Sequence, residues 1–238
     1  MPVLIDAQKA LRKKASAAQR QTFLRFFKTG PGQYGEGDVF IGVPVRHIRA
    51  LSKSYRTLTP KDLSVLLQSP VHEDRHLGLI VLVDQYARTK DLKGKKQLVE
   101  FYMKNRSGVN NWDLVDVSAH KILGDHCFRT ADPSVLRKLT KSKRHWDRRM
   151  AMLGTAAFIW ENDLDLTFEF AEIFLSETED LMHKVTGWML REAGKKDLPR
   201  LRRFIQKHGP RIPRTTLRYA IEKMIATERK KILASTKT

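Results

Sequence analysis

Apolar and polar positions follow a helical spacing along most of this 238-residue chain. The clearest stretch is 72–88, His-Glu-Asp-Arg-His-Leu-Gly-Leu-Ile-Val-Leu-Val-Asp-Gln-Tyr-Ala-Arg, where apolar side chains dominate without the two-residue alternation of a half-buried strand. Residues 77–83 alone would fit a buried strand, but the length of the whole run predicts a buried helix. Four such inner stretches, at Arg75, Trp112, Arg149 and Lys184, start 37, 37 and 35 residues apart. A fixed period of this size marks helical repeats, because one repeat cannot bury its apolar face alone and must stack on the next. Each inner stretch follows an outer amphipathic one, at 61–68, 95–104, 134–141 and 164–175. The pattern therefore predicts an all-α protein, a curved solenoid of antiparallel helix pairs whose second helices line a concave face. An irregular helical domain is the alternative, since the repeats share no strong consensus.

Local punctuation agrees with helices. Thr59-Pro60, Asp132-Pro133 and Ile212-Pro213 place proline where a first helical residue tolerates it, with Thr59 and Asp132 as N-caps. Residues 29–39, Thr-Gly-Pro-Gly-Gln-Tyr-Gly-Glu-Gly-Asp-Val, are too rich in glycine for regular structure and predict a loop. The basic, polar tail after Ile225 is expected to fray. No Pro-, Gly- or Ser-rich linker interrupts the chain, so a single domain over 1–238 is expected.

Composition narrows the class. The hydrophobic fraction of 41% is globular, and no apolar run nears the ~18 residues of a membrane span. The Met-Pro-Val-Leu-Ile-Asp start lacks the charged and apolar regions of a signal peptide. A single cysteine, Cys127, cannot form an intrachain disulfide and fits a reducing, cytoplasmic setting; beside Ile122, Leu123 and Phe128 it reads as a core filler. Nothing in the pattern suggests a paired or coiled-coil interface, so a monomer is expected.

Charge changes the picture more. The formal net charge is +19, distributed as +8 over 1–60, +1 over 61–120, −2 over 121–180 and +12 over 181–238. Self-repulsion of this size points to an anionic working partner, either a nucleic acid or an anionic membrane, unless the basic residues merely solvate the surface. Arg12, Lys13, Lys14 and Arg46 at one end, and Arg200, Arg202, Arg203, Arg211, Arg214 and Arg218 at the other, could grip a duplex from both ends, with Lys28 a further candidate DNA contact.

Three segments could carry chemistry. In Asn111-Trp112-Asp113-Leu114-Val115-Asp116, Trp112 and Asp116 are four apart and share one helix face. Core packing of Trp112 and solvation of Asp116 is the competing reading, and Asp113 in the first turn can simply complement the helix dipole. Gly187-Trp188-Met189-Leu190-Arg191-Glu192 offers a second indole, again with core packing as the alternative. Trp146-Asp147-Arg148-Arg149 places two arginines at a helix start, where they could meet phosphate or pair with the acidic run at 161–165.

These segments, with the Phe27 to Asp38 stretch and Phe40-Ile41-Gly42-Val43, resemble the AlkD-like DNA alkylation repair glycosylases over about 23–219. The resemblance implies a HEAT-like helical solenoid that releases cationic N3- or N7-alkylated purines from double-stranded DNA. It implies Asp116 as the catalytic aspartate, Trp112 and Trp188 as sugar-facing indoles, and Arg149 as a phosphate contact. Asn111 departs from the pattern, because a family member can carry a second tryptophan there. It also implies work from the backbone side without a base pocket; no metal or organic cofactor is expected. First principles are compatible with it. Ordinary glycosidases need two carboxyl groups because one must protonate a poor leaving group. An alkylated purine is already cationic, so one carboxylate can suffice. A non-catalytic helical-repeat protein that grips nucleic acid is the alternative function.

His72-Glu73-Asp74-Arg75-His76 is a literal H-E-x-x-H, the zinc helix of many metalloproteases. The extended form fails at Leu79 and Leu82, and only a distant acid such as Glu100 is available as third ligand. These residues are therefore expected to be polar groups of a helix start, with no metal bound.

Overall fold

A computed structural model describes residues 2–236. Among them the regular structure is helical, apart from an isolated parallel bridge between Val39 and Val71. Contacts group the chain into two compact units, 1–118 and 119–238. The division falls within the unbroken helical run that begins at Trp112, not at a linker.

The first unit holds α1 (Pro2–Arg12), α2 (Ala17–Phe26), α3 (Val45–Ser52), α4 (Pro60–Leu67), α5 (His72–Arg88), α6 (Leu92–Lys104) and α7 (Trp112–Ala119). The helix expected at 72–88 is α5, and nearly all its first two turns are buried, charged residues included. It packs against α3 and α4. Thr59 closes a reciprocal capping box with Asp62, which starts α4 with Pro60 as its first residue. Residues 30–37 form turns and bends, as expected of the glycine-rich segment. At Gly42 the backbone φ is +82°, and an added Cβ would lie 2.2 Å from the Ser16 carbonyl oxygen, so only glycine lets this loop pass so close to α2.

The second unit continues through a π-helical turn, His120–Gly124, into α8 (Asp125–Arg129). Then come α9 (Ser134–Thr140), α10 (His145–Gly154), α11 (Ala156–Trp160), α12 (Asp165–Ile173), α13 (Asp180–Lys196), α14 (Leu198–His208), α15 (Arg214–Ala220) and α16 (Ala226–Ser235). The outer and inner stretches of the repeat pattern appear as α4/α5, α6/α7, α9/α10 and α12/α13, an all-α helical-repeat fold. Cys127 is buried, and burial pushes its thiol up to about 12, which suits a core filler.

Two local expectations are corrected. Pro133 and Pro213 occupy the N-cap positions of α9 and α15 and are not their first helical residues. Asp132 still helps, accepting from the Ser134 amide at 2.9 Å. The segment after Ile225 forms α16, where Glu228 accepts from Arg202 at 2.7 Å and joins the tail to α14.

Candidate functional site

The start of α7 carries the densest chemistry of the first unit. Asn111 is fully buried: its Oδ1 accepts from the Trp112 amide at 2.8 Å and its Nδ2 donates to Asp38 at 3.2 Å. An indole at this fully buried position would break both of these hydrogen bonds. Trp112 is half-buried and stacks on Phe27, ring centroids 5.4 Å apart and planes 19° from parallel. The stack continues through Phe40 to His72, at 4.8 and 4.4 Å, with Phe26 edge-on to the indole. Asp116, also half-buried, lies one turn beyond Trp112 on the same face of α7.

Asp113 is not a simple dipole complement. Its Oδ2 lies 2.8 Å from His72 Nε2 and 3.3 Å from His76 Nδ1, both on α5. The other nitrogen of His72 lies 3.0 Å from Asp38, which also pairs with Arg75. Burial alone would lower the His72 pKa, but Asp113 and Asp38 outweigh it and raise the imidazole to about 9. Burial likewise works to raise Asp113, yet His72 and His76 hold its carboxyl well below the usual range. A cavity of about 290 Å³ opens on this group, lined by Phe26, Val43, Ile48, His76, Trp112 and Asp113 among others.

Glu73 is occupied elsewhere. Its buried carboxylate accepts from the amides of Ile41, Gly42 and Val43 at 2.8 to 3.2 Å, pinning that loop to α5. His72, Glu73, Asp74, Arg75 and His76 are the polar start of α5, as expected, and all five are buried. The carboxylate near the two histidines is Asp113, whereas Glu100 is exposed. A signal for this was present in the spacing. Asp113 follows His76 by 37 residues, one repeat period, and stacked repeats bring equivalent positions side by side.

In the second unit, Trp188 is half-buried on α13, beside Gly187. A Cβ at Gly187 would stand 2.5 Å from both the Thr216 carbonyl oxygen and the Tyr219 Cβ, so glycine allows α15 to approach α13 closely next to the indole. Arg149 is buried on α10 and donates to the Leu181 carbonyl at 2.7 Å. Arg148 forms a two-armed pair with Glu177 at 2.6 and 3.1 Å, so its acidic partner lies outside the run at 161–165; from that run, Asp165 pairs with Arg200 at 2.7 Å. Arg191 is held by Glu192 and Glu222, and Arg214 donates to the Leu233 carbonyl at 3.0 Å.

Lys28, Arg46 and Arg218 are exposed. Arg12 instead pairs with Asp74, and Arg202 with Glu228, so part of the basic surface serves internal contacts. The structure thus pairs Trp112 with Asp116 on one helix face in the first unit. It sets Trp188 and Arg191, three apart, on a common helix in the second.

Comparison with known proteins gives a consistent result. A family model described as DNA alkylation repair enzyme matches residues 7–224. No curated protein matches the chain. Among solved structures, a predicted DNA alkylation repair enzyme from Enterococcus faecalis superposes with a TM-score of 0.68 at 16% identity, covering 90% of this chain and 98% of that one. At that identity the likeness shows a shared fold.

Proposed function

The chain belongs to the DNA alkylation repair enzyme family, and from that premise we propose that it is a monofunctional DNA glycosylase hydrolysing the N-glycosidic bond of cationic N3- or N7-alkylated purines in duplex DNA. The observation that carries this reading is the Trp112/Asp116 pair: an indole fixed by ring stacking and a half-buried carboxylate, one turn apart on one face of α7. As the bond to the purine breaks, positive charge moves from the base to the deoxyribose. Asp116 stabilises that charge and orients the attacking water. The Trp112 indole face adds about 0.5–2 kcal/mol to the developing cation, and the resemblance implies Trp188 as a second sugar-facing indole. The leaving base needs no proton, so no second carboxyl group is required. Arg149 is the phosphate contact that the resemblance implies, and it reaches a phosphate by exchanging its hydrogen bond to the Leu181 carbonyl. Exposed Lys28, Arg46 and Arg218 supply the basic surface that draws in the duplex, and Arg148, Arg191 and Arg214 join it by exchanging their internal partners for phosphate. The protein works in the cytoplasm, with the chromosome, as a monomer without cofactor in this reaction.

The test is release of methylated purines from alkylated duplex DNA. Wild-type protein should release base well above the spontaneous rate, and Asp116→Asn should lose at least ~100-fold while still binding DNA. Binding without release by the wild type would leave a protein that only grips nucleic acid, and the glycosylase reading would be wrong.

A further inference from the structure

We propose that His72, His76 and Asp113 form a site for one divalent first-row transition-metal ion of the zinc class, opening onto the aromatic cavity beside Trp112. Their three donor atoms lie within 4.8 Å of one another. Asp113 Oδ2 stands 2.8 Å from His72 Nε2 and 3.3 Å from His76 Nδ1. With metal–ligand bonds of about 2.0–2.1 Å, donors in a tetrahedral shell are about 3.3 Å apart and adjacent octahedral donors about 2.9 Å. The two Asp113 separations match an ion's coordination shell, while the two imidazole nitrogens, within 4.8 Å of each other, close on the ion by up to about 1.5 Å through ring rotation.

The surroundings of His72 favour a ligand role. A metal-bound histidine commonly gives its remaining N–H to a carboxylate, which fixes ring orientation and raises basicity. Here Asp38 receives His72 Nδ1 at 3.0 Å and is itself held by Arg75 and Asn111. Three protein ligands leave a coordination position open, and the cavity of about 290 Å³ can hold the water that fills it. Two imidazoles with one carboxylate suit zinc, nickel, cobalt or ferrous iron; an all-oxygen shell for magnesium or calcium, or a thiolate for cuprous copper, is not offered.

The ion would not make a protease of this H-E-x-x-H helix. Glu73, the residue that would activate water there, is committed to the amides of Ile41, Gly42 and Val43. Its role is mechanical: it replaces the proton between His72 and Asp113 and ties α5 to the first turn of α7, the turn that presents Trp112. This proposal stands independently of the glycosylase reading.

Chelator-stripped full-length protein titrated with Zn²⁺ in a calorimeter should take up one ion per chain. Co²⁺ should give the visible d–d bands of four- or five-coordinate cobalt, bleached by added Zn²⁺. His76→Ala and Asp113→Asn should each weaken binding at least ~10-fold, and Asp38→Asn by about 10–100-fold. His47→Ala, on α3 outside the cluster, should leave binding unchanged. Absence of a stoichiometric ion, a six-coordinate aqua-like cobalt spectrum, or full affinity in folded His76→Ala would overturn the site. Should the variants fail to fold, as circular dichroism would reveal, the wild-type cobalt spectrum decides by itself.

Discussion

At the residue scale, two carboxylates three positions apart do different work because of what surrounds each. Asp113 faces α5 and meets two imidazoles, which lock it as an anion in a largely buried network. Asp116 sits a turn further along, on the face shared with Trp112. Asn111 joins the two regions by capping α7 with its oxygen and feeding Asp38 with its amide nitrogen. Alanine at 111 removes the cap and deprives a buried carboxylate of a donor. Its expected cost is about 1–3 kcal/mol of unfolding free energy, measured by urea denaturation. A loss below ~0.5 kcal/mol would mean that water takes over both bonds.

At the element scale, the arginines that open α10 show how one sequence signal divides into two roles. Arg148 pairs with Glu177, just before α13, and also donates to the carbonyls of Ser142 and Lys143, so it links α10 to its neighbours. Burial favours protonation of Glu177, but the Arg148 hydrogen bonds and the amides of Thr178 and Glu179 outweigh it and lower its pKa from 4.5. A carboxylate with a depressed folded pKa contributes stability that is fully present above 4.5 and is lost as pH falls through the folded value. Thermal unfolding midpoints should therefore fall below about pH 4.5 in the wild type, and fall less steeply in Glu177→Gln. Parallel acid limbs for the two proteins would show that the pair contributes nothing. The element pattern itself was legible in the sequence. The 72–88 run became α5 because seventeen residues of continuous apolar and charged pattern exceed any ordinary strand. The tail was misjudged because composition showed its polarity but not Arg202, a residue on another helix that meets Glu228.

At the scale of the whole molecule, the charge of +19 bears on the proposed function through the phosphate backbone of a duplex. Association with undamaged duplex DNA should weaken with salt, each neutralised phosphate contributing about −0.9 to the slope of log K against log salt. Exposed Arg218 offers a clean probe: Arg218→Ala should reduce that slope by about one contact in a fluorescence-anisotropy titration. An unchanged slope would remove Arg218 from the interface. Sequence alone determined the all-helical repeat fold, the positions of its helix pairs and the Trp112/Asp116 face, because residue spacing and helix geometry fix them without reference to tertiary contacts. Only the tertiary structure decided which charged groups meet. Asp38, His72 and the Asn111–Asp113 segment come from three separate parts of the chain, and packing brings them into contact. The 37-residue period implied that Asp113 would lie near His76, but the depth of burial and the carboxylate behind His72 depend on packing that no single segment encodes.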